Sequence, residues 1–174
     1  MCRPGTIHRL LAADHRRLED LLGRTTAKPD ALDPVAYGEF RAGLLRHIGM
    51  EEKVLIPWAQ RARGDRALPV AARLRLDHGA LAALLVPPPS LDIIAAIRAI
   101  LSGHNALEEG AGGLYEVCDE WAGAGSKALA EKLLEVPYPP LKPHVSNPAV
   151  LEATRRALSR AGYDWDDLIH RGGR

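Results

Sequence analysis

Two short motifs occur twice in this chain, in the same order. Asp14-His15-x-x-Leu18-x-x-Leu21-Leu22 is followed by Leu44-x-x-His47-x-x-x-Glu51-Glu52, and the pair returns as Asp77-His78-x-x-Leu81-x-x-Leu84-Leu85 and Leu101-x-x-His104-x-x-x-Glu108-Glu109. A pattern that recurs with its internal spacing intact implies one structural unit used twice. Steps of three and four residues are those of a helix face, so each unit reads as two helices. Each unit offers one histidine from its first helix, and a histidine and a glutamate four residues apart from its second.

The flanking sequence extends these helices. Ile7, Leu11, His15, Leu18 and Leu22 form one stripe ending near Gly23, which predicts a helix over residues 6–23. Asp33-Pro34 reads as a cap followed by proline in the first turn, opening a second helix with the stripe Phe40, Leu44, His47, Glu51 and Trp58. Pro57 lacks a backbone donor and predicts a kink or an early end there. The third stripe is Ala71, Leu74, His78, Leu81 and Leu85, stopped by Pro87-Pro88-Pro89. The fourth runs through Ile97, Leu101, His104, Glu108, Ala111 and Tyr115, weakened in its second half by Gly110, Gly112 and Gly113.

Composition agrees with a helical globule. Of the 174 residues 47% are hydrophobic and 26% charged, and a single Phe among abundant Leu and Ala favours helices over strands. The expected fold class is therefore all-α: an antiparallel up-down-up-down four-helix bundle over residues 1–122, with residues 123–174 as a Pro-rich segment and a C-terminal helix docked on it. Val136 to Pro143 must be extended, and Asn147-Pro148 looks like the cap and first turn of that helix. A formal net charge of +1 with interspersed signs gives no field for nucleic acid. No apolar run is long enough to span a membrane and the N-terminus lacks a signal-like core, so a cytoplasmic protein is expected. Cys2 and Cys118 have no metal-binding or disulfide spacing and are expected to be reduced thiols.

His15, His47, Glu51, His78, His104 and Glu108 all lie on apolar stripes, the faces that turn to a core. Ionisable groups there cost several kcal/mol of desolvation unless paired, and a metal ion removes that cost. Imidazoles with carboxylates suit iron, with manganese or zinc as substitutes, and the missing thiolates argue against a closed structural zinc site. Glu51 and Glu108, the carboxylates on the stripes, are expected to bridge two ions, one held by His15 and His47 and the other by His78 and His104. That leaves room for a solvent bridge and an exogenous ligand. Glu52, Glu109, Asp14 and Asp77 are read as solvated groups or partners of the ligands. Tyr115 is read as core filler, with a wall of a pocket near the metals as the alternative, and His8, His144 and His170 receive no role.

In order and spacing the four motifs resemble those of the hemerythrin-like (HHE cation-binding) domain family over residues 7–115. The resemblance implies a four-helix bundle holding two non-haem iron ions, with the six stripe residues at the ligand positions. It also implies binding of dioxygen, nitric oxide or peroxide, or sensing of these or of iron, and a protein partner through the C-terminal segment is the accompanying expectation. One position departs: oxygen-carrying members have a histidine one turn upstream of the third-helix ligand, where this chain has Leu74. That shifts the expectation from reversible oxygen carriage towards sensing or peroxide and nitric oxide chemistry. A di-iron oxidase or peroxidase is the alternative, although ferritin-like oxidases use Glu-x-x-His rather than His-x-x-x-Glu.

Overall fold

The computed structural model describes residues 5–28, 31–64 and 68–172, and these are helical throughout their regular parts, with no strand among them. Cys2 and the rest of residues 1–4 lie outside the described residues. The first unit comprises α1 (Thr6–Thr25) and α2 (Pro34–Met50), and the second comprises α4 (Pro69–Leu84) and α5 (Leu91–Glu109). Helix α1 packs on α2, α4 on α5, and α1 also meets α5.

Local chemistry sets the helix ends. The Asp33 carboxylate accepts from the Val35 and Ala36 amides, and Ser90 caps α5 through the Ile93 amide. Gly5 has no side chain to cap α1, and Asp119 from a distant helix does so instead, accepting from the Ile7 and His8 amides at 2.9 Å each. That helix, α6 (Leu114–Ala122), is thereby fastened to the start of α1.

Both second helices change character just past the ligand-bearing turn. In the first unit Pro57 neither ends nor breaks the path: Glu51–Leu55 form a π-helical turn, and α3 (Ile56–Ala62) continues with Pro57 in its first turn. The wider i→i+5 bonding shifts the ladder by one residue, and proline is tolerated where a new first turn has no donor to place. In the second unit the expected continuation through Ala111 to Tyr115 does not occur. Helix α5 stops at Glu109, and Tyr115 belongs to the separate α6. Gly112 takes a φ of 70°, and a Cβ on Gly113 would come within 2.5 Å of the Glu108 carbonyl oxygen. Glycine alone fits this reversal.

Beyond a short turn, α7 (Ser126–Leu134) packs on α1, and residues 135–147 carry no regular structure. Arg46 donates to the carbonyls of Leu134 and Val136, and Arg41 to that of Lys142, so two α2 arginines hold the strap. Helix α8 (Pro148–Arg160), capped by Asn147, lies on α4, and α9 (Trp165–Gly172) lies on α5. Leu158 and Leu168 from these helices, with Ala161 just past the end of α8, join the same buried cluster as Leu22, Leu44, Leu81 and Ile97. Among the described residues no helix is long and apolar enough to cross a membrane.

Candidate metal centre

The structure brings all six stripe residues to one place. His15, His47, Glu51, His78, His104 and Glu108 are each 4% exposed or less. Their ligand-type atoms form two groups, His15, His47, Glu51 and Glu108 on one side and Glu51, His78, His104 and Glu108 on the other, each with all atoms within 4.8 Å of one another. Both glutamates are shared. Glu51 spreads its two oxygens, Oε1 lying 3.4 Å from His47 Nε2 and Oε2 3.1 Å from His78 Nε2. Glu108 Oε2 lies 3.4 Å from His15 Nε2 and 3.3 Å from His104 Nε2.

These contacts are close without being good hydrogen bonds. Among the described residues, Glu51 Oε2, His78 Nε2 and Glu108 Oε1 are buried with no hydrogen-bond partner, although His78 Nε2 and Glu51 Oε2 stand near each other. Buried polar atoms left unpaired are costly, and a set of them converging on common points fits a cation that supplies what they lack. Nitrogen and oxygen donors without sulfur suit iron, manganese or zinc.

The outer nitrogens explain the remaining residues of the repeated motifs. His47 Nδ1 lies 3.0 Å from Asp14 and His104 Nδ1 lies 3.5 Å from Asp77, each within its own repeat. His15 Nδ1 lies 2.6 Å from Glu109 and His78 Nδ1 lies 2.7 Å from Glu52, each across to the other repeat. At His15, His47 and His78 a carboxylate hydrogen-bonded to Nδ1 keeps the proton there and turns the Nε2 lone pair inward, the orientation that metal-binding histidines need, whereas Asp77 faces His104 Nδ1 at 3.5 Å without a hydrogen bond. The carboxylates are themselves anchored: Asp14 by Arg17, Glu52 by Arg75, and Asp77 by Arg73 and the Tyr163 hydroxyl at 2.8 Å.

Without a cation, protons supply the positive charge. Burial pulls the His47 imidazolium down, but the Glu51 carboxylate and the bond to Asp14 outweigh it and raise the group to about 10. Burial is likewise outweighed at His104, where Asp77 and Glu108 raise it to about 10. His15 and His78 are raised in the same way by Glu108 with Glu109, and by Glu51 with Glu52. Glu51, despite burial, is held well below the ordinary carboxylate range by His47 and His78. The cluster thus demands cationic charge at its centre, and metal ions and protons compete for it.

Tyr115 is not filler. It is fully buried, and its hydroxyl donates to Glu51 Oε1 at 2.6 Å while lying 3.0 Å from Glu108 Oε2, 3.1 Å from His15 Nε2 and 3.3 Å from His47 Nε2. Burial and the charges of Glu108 and Glu51 push its phenol well above the usual range. The sequence put it on the fourth stripe but not among the donors, because it lies on a separate helix that begins after the break. Leu74 is buried among apolar side chains one turn before His78. Cys118 is buried as a free thiol, which burial pushes up to about 12. His8, His144 and His170 fall outside both groups. A cavity of ≈ 650 Å³, lined by Leu18, Arg98, Ser102 and Asn105 among others, reaches His15 from outside.

Neither a curated protein nor a solved structure matches the chain. The family model of the hemerythrin HHE cation binding domain matches residues 6–146, a span that runs from α1 through α7 and contains every residue of the cluster. Fold, repeated motifs and clustered donors thus converge on one assignment, and the chain belongs to the hemerythrin HHE cation-binding domain family.

Proposed function

We propose that this chain holds two non-haem iron ions, one at His15 and His47 and the other at His78 and His104, with Glu51 and Glu108 spanning both. Their frame is an up-down-up-down antiparallel bundle of α1, α2, α4 and α5, with residues 123–174 docked upon it. The observation that carries this reading is Glu51, whose two oxygens face histidines of different repeats while one of them lacks any hydrogen bond. A carboxylate so disposed bridges ions roughly 3.5–4 Å apart. When bound, the iron pair supplies reversible redox chemistry and open positions for dioxygen, nitric oxide or peroxide. The protein's own part is to fix the imidazoles through Asp14, Glu52, Asp77 and Glu109, and to exclude water.

Binding or sensing is the role best supported. Tyr163, just before α9, donates to Asp77, which faces His104, and Arg73 joins Asp77 to the Ala161 carbonyl. A change of charge at His104 is therefore felt by Asp77 at 3.5 Å and, through it, by the C-terminal segment, where a protein partner would read it. The cavity that reaches His15 favours a second reading, a di-iron oxidase or peroxidase with a substrate there. Anaerobic loading with ferrous iron followed by elemental analysis tests the centre: two irons per chain are expected, and zinc alone or no metal refutes it. Optical spectra on adding dioxygen, nitric oxide or peroxide separate the roles, since a sensor gives a stoichiometric change and an enzyme turns over.

A further inference from the structure

We propose that Tyr115 is a fifth protein ligand to the ion of the His15–His47 pair, which makes the two halves of the centre unequal. The geometry is that of a coordination shell. His15 Nε2 and His47 Nε2 are 2.9 Å apart, His15 Nε2 and Glu108 Oε2 3.4 Å, and His47 Nε2 and Glu51 Oε1 3.4 Å. These are three edges of a four-cornered set of donors whose atoms all lie within 4.8 Å of one another. The Tyr115 oxygen stands 2.6–3.3 Å from all four corners. With metal–donor bonds of about 2.1 Å, neighbouring vertices of an octahedron lie about 3.0 Å apart. An oxygen at about that distance from all four donors is placed as a fifth vertex of such a shell would be.

The second group has no such atom. His78 and His104 share Glu51 and Glu108 with the first pair, and among the described residues no tyrosine hydroxyl is within hydrogen-bond distance of either imidazole's Nε2. The corresponding place in the other repeat, seven residues beyond Glu51, is Trp58, which has no oxygen to offer. Leu74 adds no donor either. The ion at His15 and His47 would then have five protein donors and its neighbour four, directing an exogenous small ligand to the His78–His104 side. Coordination breaks the phenolic O–H bond and forms an iron–oxygen bond. The proton now shared with Glu51 leaves to solvent, and no electron is transferred.

This inference rests on the di-iron reading, and the test separates the two. Full-length protein is loaded with iron, oxidised to the ferric state, and compared with Tyr115→Phe by elemental analysis and resonance Raman spectroscopy. Wild type should show two irons and the ring vibrations of an iron-bound phenolate, excited through a visible charge-transfer band. Tyr115→Phe keeps the ring, and should lose those vibrations completely and bind one of its two irons about tenfold more weakly or worse. Two irons with no phenolate signature in wild type would overturn the tyrosine ligand while leaving the di-iron centre standing, with Tyr115 reduced to a hydrogen-bond donor. A signature that survives in Tyr115→Phe would assign the band to another tyrosine and also overturn it. Failure of wild type to take up iron would overturn both.

Discussion

Removing the charge of Glu109 should weaken one metal position and spare the other. Glu109 lies on α5 but serves His15 on α1, at 2.6 Å from Nδ1, and this bond, against the opposing pull of partial burial, holds its carboxyl below the ordinary range. In Glu109→Gln the amide oxygen still accepts from Nδ1, but the bond is no longer charge-assisted. Net values of about 1.5–3 kcal/mol for charged and about 0.5–1.5 kcal/mol for neutral hydrogen bonds put the loss near 1–1.5 kcal/mol. The Glu109 side chain is 31% exposed, which favours the lower end of that range. About 1 kcal/mol corresponds to a five- to tenfold loss of affinity, and Glu109→Ala, which removes the acceptor altogether, should approach the upper part of the ten- to hundredfold range for such partners. Competition against a chromophoric chelator under anaerobic conditions measures this. The two-site titration should become biphasic, with one equivalent weakened and one unchanged. Glu52→Gln, acting on His78 at 2.7 Å, should weaken the other equivalent. Glu131→Gln, at an exposed helix pair, is the control and should change neither. If Glu109→Gln matches that control to within twofold, the short contact contributes nothing to presenting His15, and the account of the Glu-Glu dipeptides is wrong.

Stability of the metal-free protein should fall as pH rises from about 6.5 to about 10, because His47 and His104, raised to about 10, stabilise the fold fully below their unfolded value and lose that effect through their folded one. The depressed Glu51 acts in the opposite sense, losing its contribution in acid, so urea midpoints should peak between about pH 4.5 and 6.5 and flatten on metal loading; a midpoint that climbs through the alkaline range contradicts the charge assignment. Leu158→Ala should lower stability by about 2–5 kcal/mol in a single cooperative transition, since Leu158 belongs to the same buried cluster as the bundle leucines, and a separate early transition in calorimetry would mean that α8 melts independently. Leu74→His should place another nitrogen beside His78 and fill the position left to an exogenous ligand on that side, so stopped-flow mixing of reduced protein with dioxygen should show a smaller or slower spectral change, and an unchanged one would mean that position 74 does not reach the open ion.

The sequence by itself determined the helical class, the first and third helix stripes and the six inward donors, because helical periodicity is local and the repeat doubles its signal. It also marked Asp33 and Asn147 as caps, since a cap bonds within three residues of itself. Only the tertiary structure decided what depends on neighbouring helices. Glu52 and Glu109 lie one residue past the inward face, where a single-helix pattern reads solvent. There the outer nitrogen of a histidine on another helix sits at the seam between them. Pro57 was absorbed by a π-helical turn, which no local pattern announces. Tyr115 is the clearest case. Its place among four donors follows from a glycine-built reversal and from the packing of α6 on α1 and α5, long-range contacts that residue spacing does not encode.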